Sequence, residues 1–469
     1  MSVNKKLIRN TVIAAVALCA LAAGYWFAVK WQPSGGNDAA DAETFPLMSV
    51  KTEDAAKIEF KNENGAFSLV RTGEGNNAKW NIPEREGVEF SQSMIESTVS
   101  AICSLNADKE IADSTENSAE YGLSSPKAEV SVTTKDGTEK TLVLGDKMVV
   151  DTNYYIMEKG GGKIYAVSEY KADALLKQPN DFREKTLATI DAQSLKRFAI
   201  SRGGQKVVEI VNSDGADDKS SATMSTLRMT YPYSESVNTE KFSKITEVFT
   251  SVSVTDFVSD NPADAEKYGI NSGVKVEIED GAAAHTLTFG GADENGNIYT
   301  MYNDKGFIFT TSPKMLDAVS GVKPFDLMER FAHIYNIDNV ESITVKANGK
   351  THTLSMSRSG SGDDVKTTYK MDGKDSEENA FKGMYQAIIG LTVTDEVSGA
   401  ESGEKFCEIT FKMTDGKSNA AVYYTHDERN LRVTRPDGKS FLILKKYVSG
   451  MLETLEKFAE NPKQRPADV

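Results

Sequence analysis

Four unrelated sets of residues recur along this 469-residue chain at nearly one spacing. Tyr121-Gly122-Leu123 returns as Tyr268-Gly269-Ile270, 147 positions on. Asp136-Gly137 returns as Asp280-Gly281 after 144 positions, and Leu142-Val143-Leu144-Gly145 as Leu287-Thr288-Phe289-Gly290 after 145. The opening strand Ile58-Glu59-Phe60 has counterparts in Phe198-Ala199-Ile200 and Ile343-Thr344-Val345, 140 and then 145 positions on. A constant spacing across unlike residue types means that the chain is built from copies of one unit.

The copies read alike. Each opens on a hairpin: Lys57 to Phe60 and Phe67 to Arg71 flank Asn64-Gly65, and Ile343 to Lys346 and Thr351 to Met356 flank Asn348-Gly349. Asn-Gly tolerates the positive φ that a two-residue hairpin turn demands. A helix follows, with apolar positions three and four apart: Ile95, Val99, Ile102; then Phe242, Ile245, Phe249, Val252; then Phe381, Met384, Tyr385, Ile388. Ser93 and Glu96 read as its capping box in the first copy. Alternating strands come next, through Val130 and Val132, Leu142 and Leu144, Tyr155 and Met157, Ile164 and Ala166. In the second copy they run through Val274 to Ile278, Leu287 to Phe289, Ile298 to Tyr302 and Phe307 to Phe309. Period two between turn residues predicts an antiparallel sheet with one buried face. Short helices close the copies at Ala172 to Lys177 and Pro313 to Val319. The third copy has no Tyr-Gly, carries Thr425 where the strand glycine is expected, and ends in a longer helix, Tyr447 to Phe458, as a terminal repeat would. Tyr121-Gly122 is expected to bend into the sheet with Trp80 buried beside it.

Ahead of the repeats, Asn10 to Val29 is an unbroken apolar run between Lys5, Lys6, Arg9 and Lys30. At 1.5 Å of helical rise per residue it reaches about 30 Å, the thickness of a bilayer's hydrocarbon core. The basic flank is expected to stay cytoplasmic, with the rest of the chain outside. A cleaved signal peptide is the competing reading, suggested by Ala20, Ala22 and Ala23; the apolar run continuing through Tyr25, Trp26, Phe27 and Val29, with Trp26 and Trp31 placed as an interfacial belt, favours an anchor. Gln32 to Thr44, rich in Pro, Gly, Ala and Asp, reads as a flexible tether. The expected organisation is a stub and anchor (1–30), a linker (31–45), repeat units over 46–190, 191–335 and 336–460, and a tail (461–469). The fold class is α+β: a single N-terminal transmembrane helix, then two to three repeated units of antiparallel sheet with helices on one face.

Acidic residues outnumber basic ones, 69 to 54, for a net charge of −15. Four of the basic residues belong to the stub and anchor, so the remainder is more acidic still and nucleic acid is not an expected partner. Cys19, Cys103 and Cys407 are too few for a disulfide framework. His285, His333, His352 and His426 have no His or Cys neighbour at a metal-ligand spacing, and there is no Gly-x-Ser-x-Gly elbow, no P-loop and no dinucleotide fingerprint in a strand-turn-helix context. No catalytic residue, cofactor or metal is therefore expected. Asp293-Glu294-Asn295-Gly296-Asn297 alternates oxygen ligands, yet its glycine comes fourth instead of sixth and Asp304 replaces the closing Glu, so it reads as a hairpin turn. Tyr154-Tyr155, Tyr299 with Tyr302, and Tyr423-Tyr424 recur at comparable places. Tyr155, Tyr299, Tyr302 and Tyr424 are candidates for lining a sugar or peptide groove; alternatively one of each pair packs in the core while its neighbour covers the other face.

Trp80-Asn81-Ile82-Pro83, Tyr121-Gly122-Leu123-Ser124-Ser125-Pro126, Leu144-Gly145-Asp146, Tyr154-Tyr155, Ile164-Tyr165-Ala166-Val167 and Phe182-Arg183-Glu184-Lys185 together resemble the bacterial domain-of-unknown-function 4340 family. The likeness is strongest from Phe45 to His333. In the second copy Asn271-Ser272-Gly273 lacks the proline and Phe325-Asp326-Leu327 lacks the basic residues. The resemblance implies an accessory, membrane-anchored component associated with ABC-type or gliding-related transport, and supplies no catalytic residue. The expected protein is non-enzymatic, single-pass in the cell membrane, with extracytoplasmic repeats that meet an integral membrane protein such as an ABC permease. A binder of cell-wall glycan or peptide is one alternative, and a hydrolase with a site assembled from distant residues is another.

Overall fold

The computed structural model describes residues 45–213, 226–303, 305–360, 366–399 and 403–465. The expected stub, anchor and tether, Cys19, Asp304 and the last four residues of the tail lie outside these. Among the described residues no helix is long and apolar enough to cross a membrane.

Three large antiparallel sheets, of eight, nine and nine strands among the described residues, follow one path. In the first, Ala55–Asn62 and Gly65–Thr72 form the hairpin and Lys79–Asn81 adds an edge. The helix Gln92–Cys103 then lays Ile95, Val99, Ile102 and Cys103 into the core, and the short strand after it, Lys109–Ala112, joins the opposite edge. The chain comes back through Tyr121-Gly122 into the strands Ala128–Thr134, Glu139–Lys147, Tyr154–Glu158 and Ile164–Val167. Ala128–Thr134 pairs with Ala55–Asn62, so hairpin and meander meet at the centre of the sheet. Arg197–Arg202 with Val274–Glu279, and Val340–Ala347 with Lys405–Met413, make the same central pairing in the other two. Every large sheet ends in strands of two to four residues, which offer few unpaired backbone groups to another chain.

The chain divides after Arg183 into two compact units. Thr186–Thr189 pairs with Ser251–Ser253 of the second repeat. The second and third repeats share one hydrophobic core. Several local expectations shift. The first helix has Ser91 at its N-cap position with no side-chain cap, and Ser93 and Glu96 fall inside it, because the Gln92 side chain grips both the N–H and the carbonyl of Trp80 at 2.8 Å and fixes where the helix starts. The same grip explains Trp80. It is buried in the main core at the sheet's far edge, whereas Tyr121 belongs to a smaller cluster, so the two are not neighbours. Val252 is in a strand, since the helix Thr239–Thr246 ends in a 3-10 turn at Glu247–Phe249. The first closing helix is Glu169–Ala172, earlier than expected; the others are Lys314–Ser320 and Lys445–Glu460.

The recurring landmarks have one physical cause. Gly122 and Gly269 hold φ of +71° and +72°, a left-handed backbone that favours glycine. The bend each makes drives the carbonyl of Tyr121 or Tyr268 against the strand glycine, Gly145 or Gly290, where a Cβ would overlap that oxygen. In the third repeat the glycine has changed sides. Gly403, at φ +107°, faces the carbonyl of Thr425, whose N–H donates to Glu404 O at 2.9 Å. The Asp-Gly turn also has a third copy that spacing alone did not reveal: Asp415 Oδ1 accepts the Lys417 N–H at 3.0 Å, as Asp136 Oδ1 accepts that of Thr138 at 3.0 Å.

Gly145→Ala is expected to lower stability by on the order of 2 kcal/mol in denaturant titrations, since the added methyl must push strand and bend apart. Gly162→Ala, where a Cβ meets nothing within 4 Å, should stay within about 0.5 kcal/mol of the parent. Equal midpoints for the two variants would contradict the close approach.

Candidate functional site

The candidate tyrosines fall on opposite faces of their sheets because side chains alternate along a strand. Tyr155 packs edge-on to Tyr121 with centroids 4.8 Å apart, and Tyr299 meets Tyr268 at 4.5 Å. Each pair belongs to a small apolar cluster that seals the bend onto the face away from the main core: Leu123, Val143 and Ile164 in the first repeat, Ala265, Ile270 and Ile308 in the second. Tyr302 faces the other way, is 5% exposed, and cannot line a surface groove together with Tyr299. Tyr423 is fully buried and its neighbour Tyr424 is half-buried.

Three of the four histidines join elements. His285 Nδ1 lies 2.8 Å from the Tyr302 hydroxyl, and its Nε2 is 3.5 Å from Asp280. Asp280 also accepts the N–H groups of Ala282 and Ala283 at 2.8 Å and of Asp191 at 3.1 Å; these backbone donors, Ala283's foremost, hold its carboxyl down at about 2. Acid, imidazole and hydroxyl stand in the order of a catalytic relay, but at 3%, 4% and 5% exposure they offer a substrate no surface. His352 bridges Asp372 at 2.7 Å and Glu456 at 3.4 Å, tying a hairpin strand to the last helix. Asp293 is spent on its own turn, accepting the N–H groups of Asn295 and Asn297. Among the described residues no group of three His, Cys, Asp or Glu is placed to hold a metal ion. Burial raises the free thiols of Cys103 and Cys407 to about 11 and about 12, which makes them poor nucleophiles.

A polar cavity of about 250 Å³ lies where the second and third repeats meet, lined by Arg228, Glu235, Ser236, His333, Tyr335, Arg435 and Asp437. Arg435 is 8% exposed, stacks over Phe441 at 4.9 Å, pairs with Glu235 of the second repeat and lies 3.5 Å from Asp437. Arg228 donates to Ser236 Oγ at 3.2 Å. Opposite charges are matched across the junction, so this cavity joins the repeats rather than presenting one sign of charge to a ligand.

The exposed feature that sequence reasoning missed is on the first unit. Val149 and Val150 are 101% and 97% exposed at the tip of the loop between Glu139–Lys147 and Tyr154–Glu158, and Tyr170 on Glu169–Ala172 is 86% exposed. The loop is ordered: Met148 N–H donates to Asn153 O at 2.7 Å and Asp151 Oδ1 accepts the Asn153 N–H at 2.9 Å. Lys147 pairs with Glu169 at 2.5 Å, fastening the loop to the helix that carries Tyr170. The available signal was the apolar triplet Met148-Val149-Val150, where a turn between strands is usually polar.

One titration follows from this geometry. His333 donates from Nε2 to Ile388 O at 3.0 Å, accepts the Tyr423 hydroxyl at 3.4 Å, and is pulled by burial from the usual 6.5 to about 4. The unfolded chain therefore binds the extra proton first as pH falls, so stability should decline between about pH 6.5 and pH 4 by up to about 3 kcal/mol and then level off. His333→Gln should remove that part of the slope in denaturant titrations at pH 7 and pH 5. An unchanged slope would contradict the buried neutral imidazole.

No curated protein and no solved structure matches the chain. A family model described as Domain of unknown function (DUF4340) matches residues 80–273 and, overlapping them, 228–405, together more than two thirds of the chain. A strand-and-bend pattern matched twice over, on repeats that close in the same way, settles the kinship: this protein belongs to the DUF4340 family.

Proposed function

We propose that the chain is a non-enzymatic accessory protein of a bacterial envelope, held by Asn10 to Val29 in the cytoplasmic membrane with its repeats outside, and that these repeats contact an integral membrane protein, an ABC permease in the reading that the family resemblance suggests. The observation that carries this is the fusion of the second and third repeats. Their sheets share one core and are locked by the buried Arg435–Glu235 pair, which makes a single stiff body from two copies of one unit. Stacked repeats present extended faces suited to another protein. A membrane anchor raises the effective concentration of a membrane partner without adding any contact. The way the buried histidines His285 and His333 are spent on joining elements supports the same reading.

Extraction of native membranes with mild detergent should co-purify the chain with an integral membrane protein, and deletion of Asn10 to Val29 should lower the recovery. Crosslinking in native membranes that returned only the chain itself would overturn the partnership and move weight to the glycan- or peptide-binding alternative.

A further inference from the structure

The Val149-Val150 tip lies at the end of the first unit where the chain arrives from its N-terminal segment. Phe45, the first described residue, pairs with Ala107, and its ring sits 5.5 Å from Tyr165. Lys171 donates to Asn106 O at 2.9 Å and pairs with Asp108, whose carboxylate also takes the Ser168 N–H at 2.7 Å. Lys171 follows Tyr170 directly, and Lys147 ties the valine loop to Glu169. One short run of contacts thus links Phe45, Tyr170 and the valines at a single end of the sheet. The fourteen residues 31–44 can span at most about 50 Å.

We infer that Val149, Val150 and Tyr170 enter the interfacial layer of the bilayer that holds the Asn10–Val29 run, seating the first unit on the membrane. This rests on the anchor reading given under Proposed function. Two β-branched apolar side chains at a rigid tip, beside a tyrosine whose ring is apolar and whose hydroxyl is polar, suit the boundary between acyl chains and headgroups. The lysines at the base, Lys147 and Lys171, are paired with Glu169 and Asp108, so no cationic patch demands anionic lipid. An uncharged, zwitterionic surface therefore fits.

The test uses the full chain with Cys19→Ser, carrying either Val150→Cys or Gly162→Cys labelled with an environment-sensitive fluorophore, in phosphatidylcholine vesicles. Gly162 is exposed in the next turn, at the opposite end of the same strands. Retention on the vesicles after alkaline washing reads the anchor separately. The expected result is a blue-shifted emission from position 150, quenched by lipid-borne nitroxides, with position 162 remaining aqueous. A chain that resists washing but keeps position 150 aqueous overturns the seating and leaves the anchor standing. A chain that washes off overturns the anchor and the seating with it. A blue shift at position 150 in native membranes only would assign the tip to a protein partner and overturn contact with lipid.

Discussion

The fold depends on how closely a carbonyl can approach a strand. Where Tyr121 and Tyr268 turn into the sheet, their oxygens occupy the space in which Gly145 and Gly290 would carry a Cβ. That approach pins the bend to the sheet's outer face. Leu123 or Ile270 then covers a small second core, and Tyr155 or Tyr299 packs its ring on the tyrosine of the bend. The strand that leaves the bend, Ala128–Thr134 or Val274–Glu279, enters beside the first hairpin strand and sets the register of the meander that follows. A tyrosine that looks like part of a ligand groove is, in both repeats, part of this seal.

Polar groups in the interior serve the same end. Gln92 fixes the Trp80 strand to the helix, Asp280 and His285 join a turn to the Tyr302 strand, and Arg435 crosses between repeats to Glu235. Each takes its partner from a different element, and the buried ones, Asp280, His285 and Arg435, join elements at the cost of desolvation. Because such groups are matched within the protein, the apolar tip at Val149-Val150 stands out as surface that the fold itself does not use.

Much of this was legible in the sequence. Period-two alternation gave the meanders, Asn348-Gly349 is the turn of its hairpin while the first hairpin turns one residue earlier than expected, at Glu63-Asn64, and the 145-residue spacing exposed the duplicated unit. Single residues were harder, for identifiable reasons. The third repeat keeps the close approach but moves its glycine from the strand to Gly403, so a search for the same residue at the same place fails although the same constraint holds. Ser93 has the chemistry of a cap but yields to Gln92, whose two hydrogen bonds to Trp80 come from a distant strand. Val252 keeps helical spacing yet pairs with Ala188, a tertiary contact that overrides local pattern. Tyr299 and Tyr302 are three positions apart and share a face only on a helix; on a strand they part.

The central claim is that the bend belongs to the cooperative core of the sheet and is not a loop laid over it. Native-state hydrogen exchange at the Gly291 amide tests this most directly, because that N–H donates to Tyr268 O at 2.8 Å and is released only when the bend lifts away. Exchange as slow as that of the Val276 and Leu287 amides inside the sheet, governed by global unfolding, is the expected result. Exchange at the rate of a frayed surface turn, while those strand amides stay protected, would contradict it.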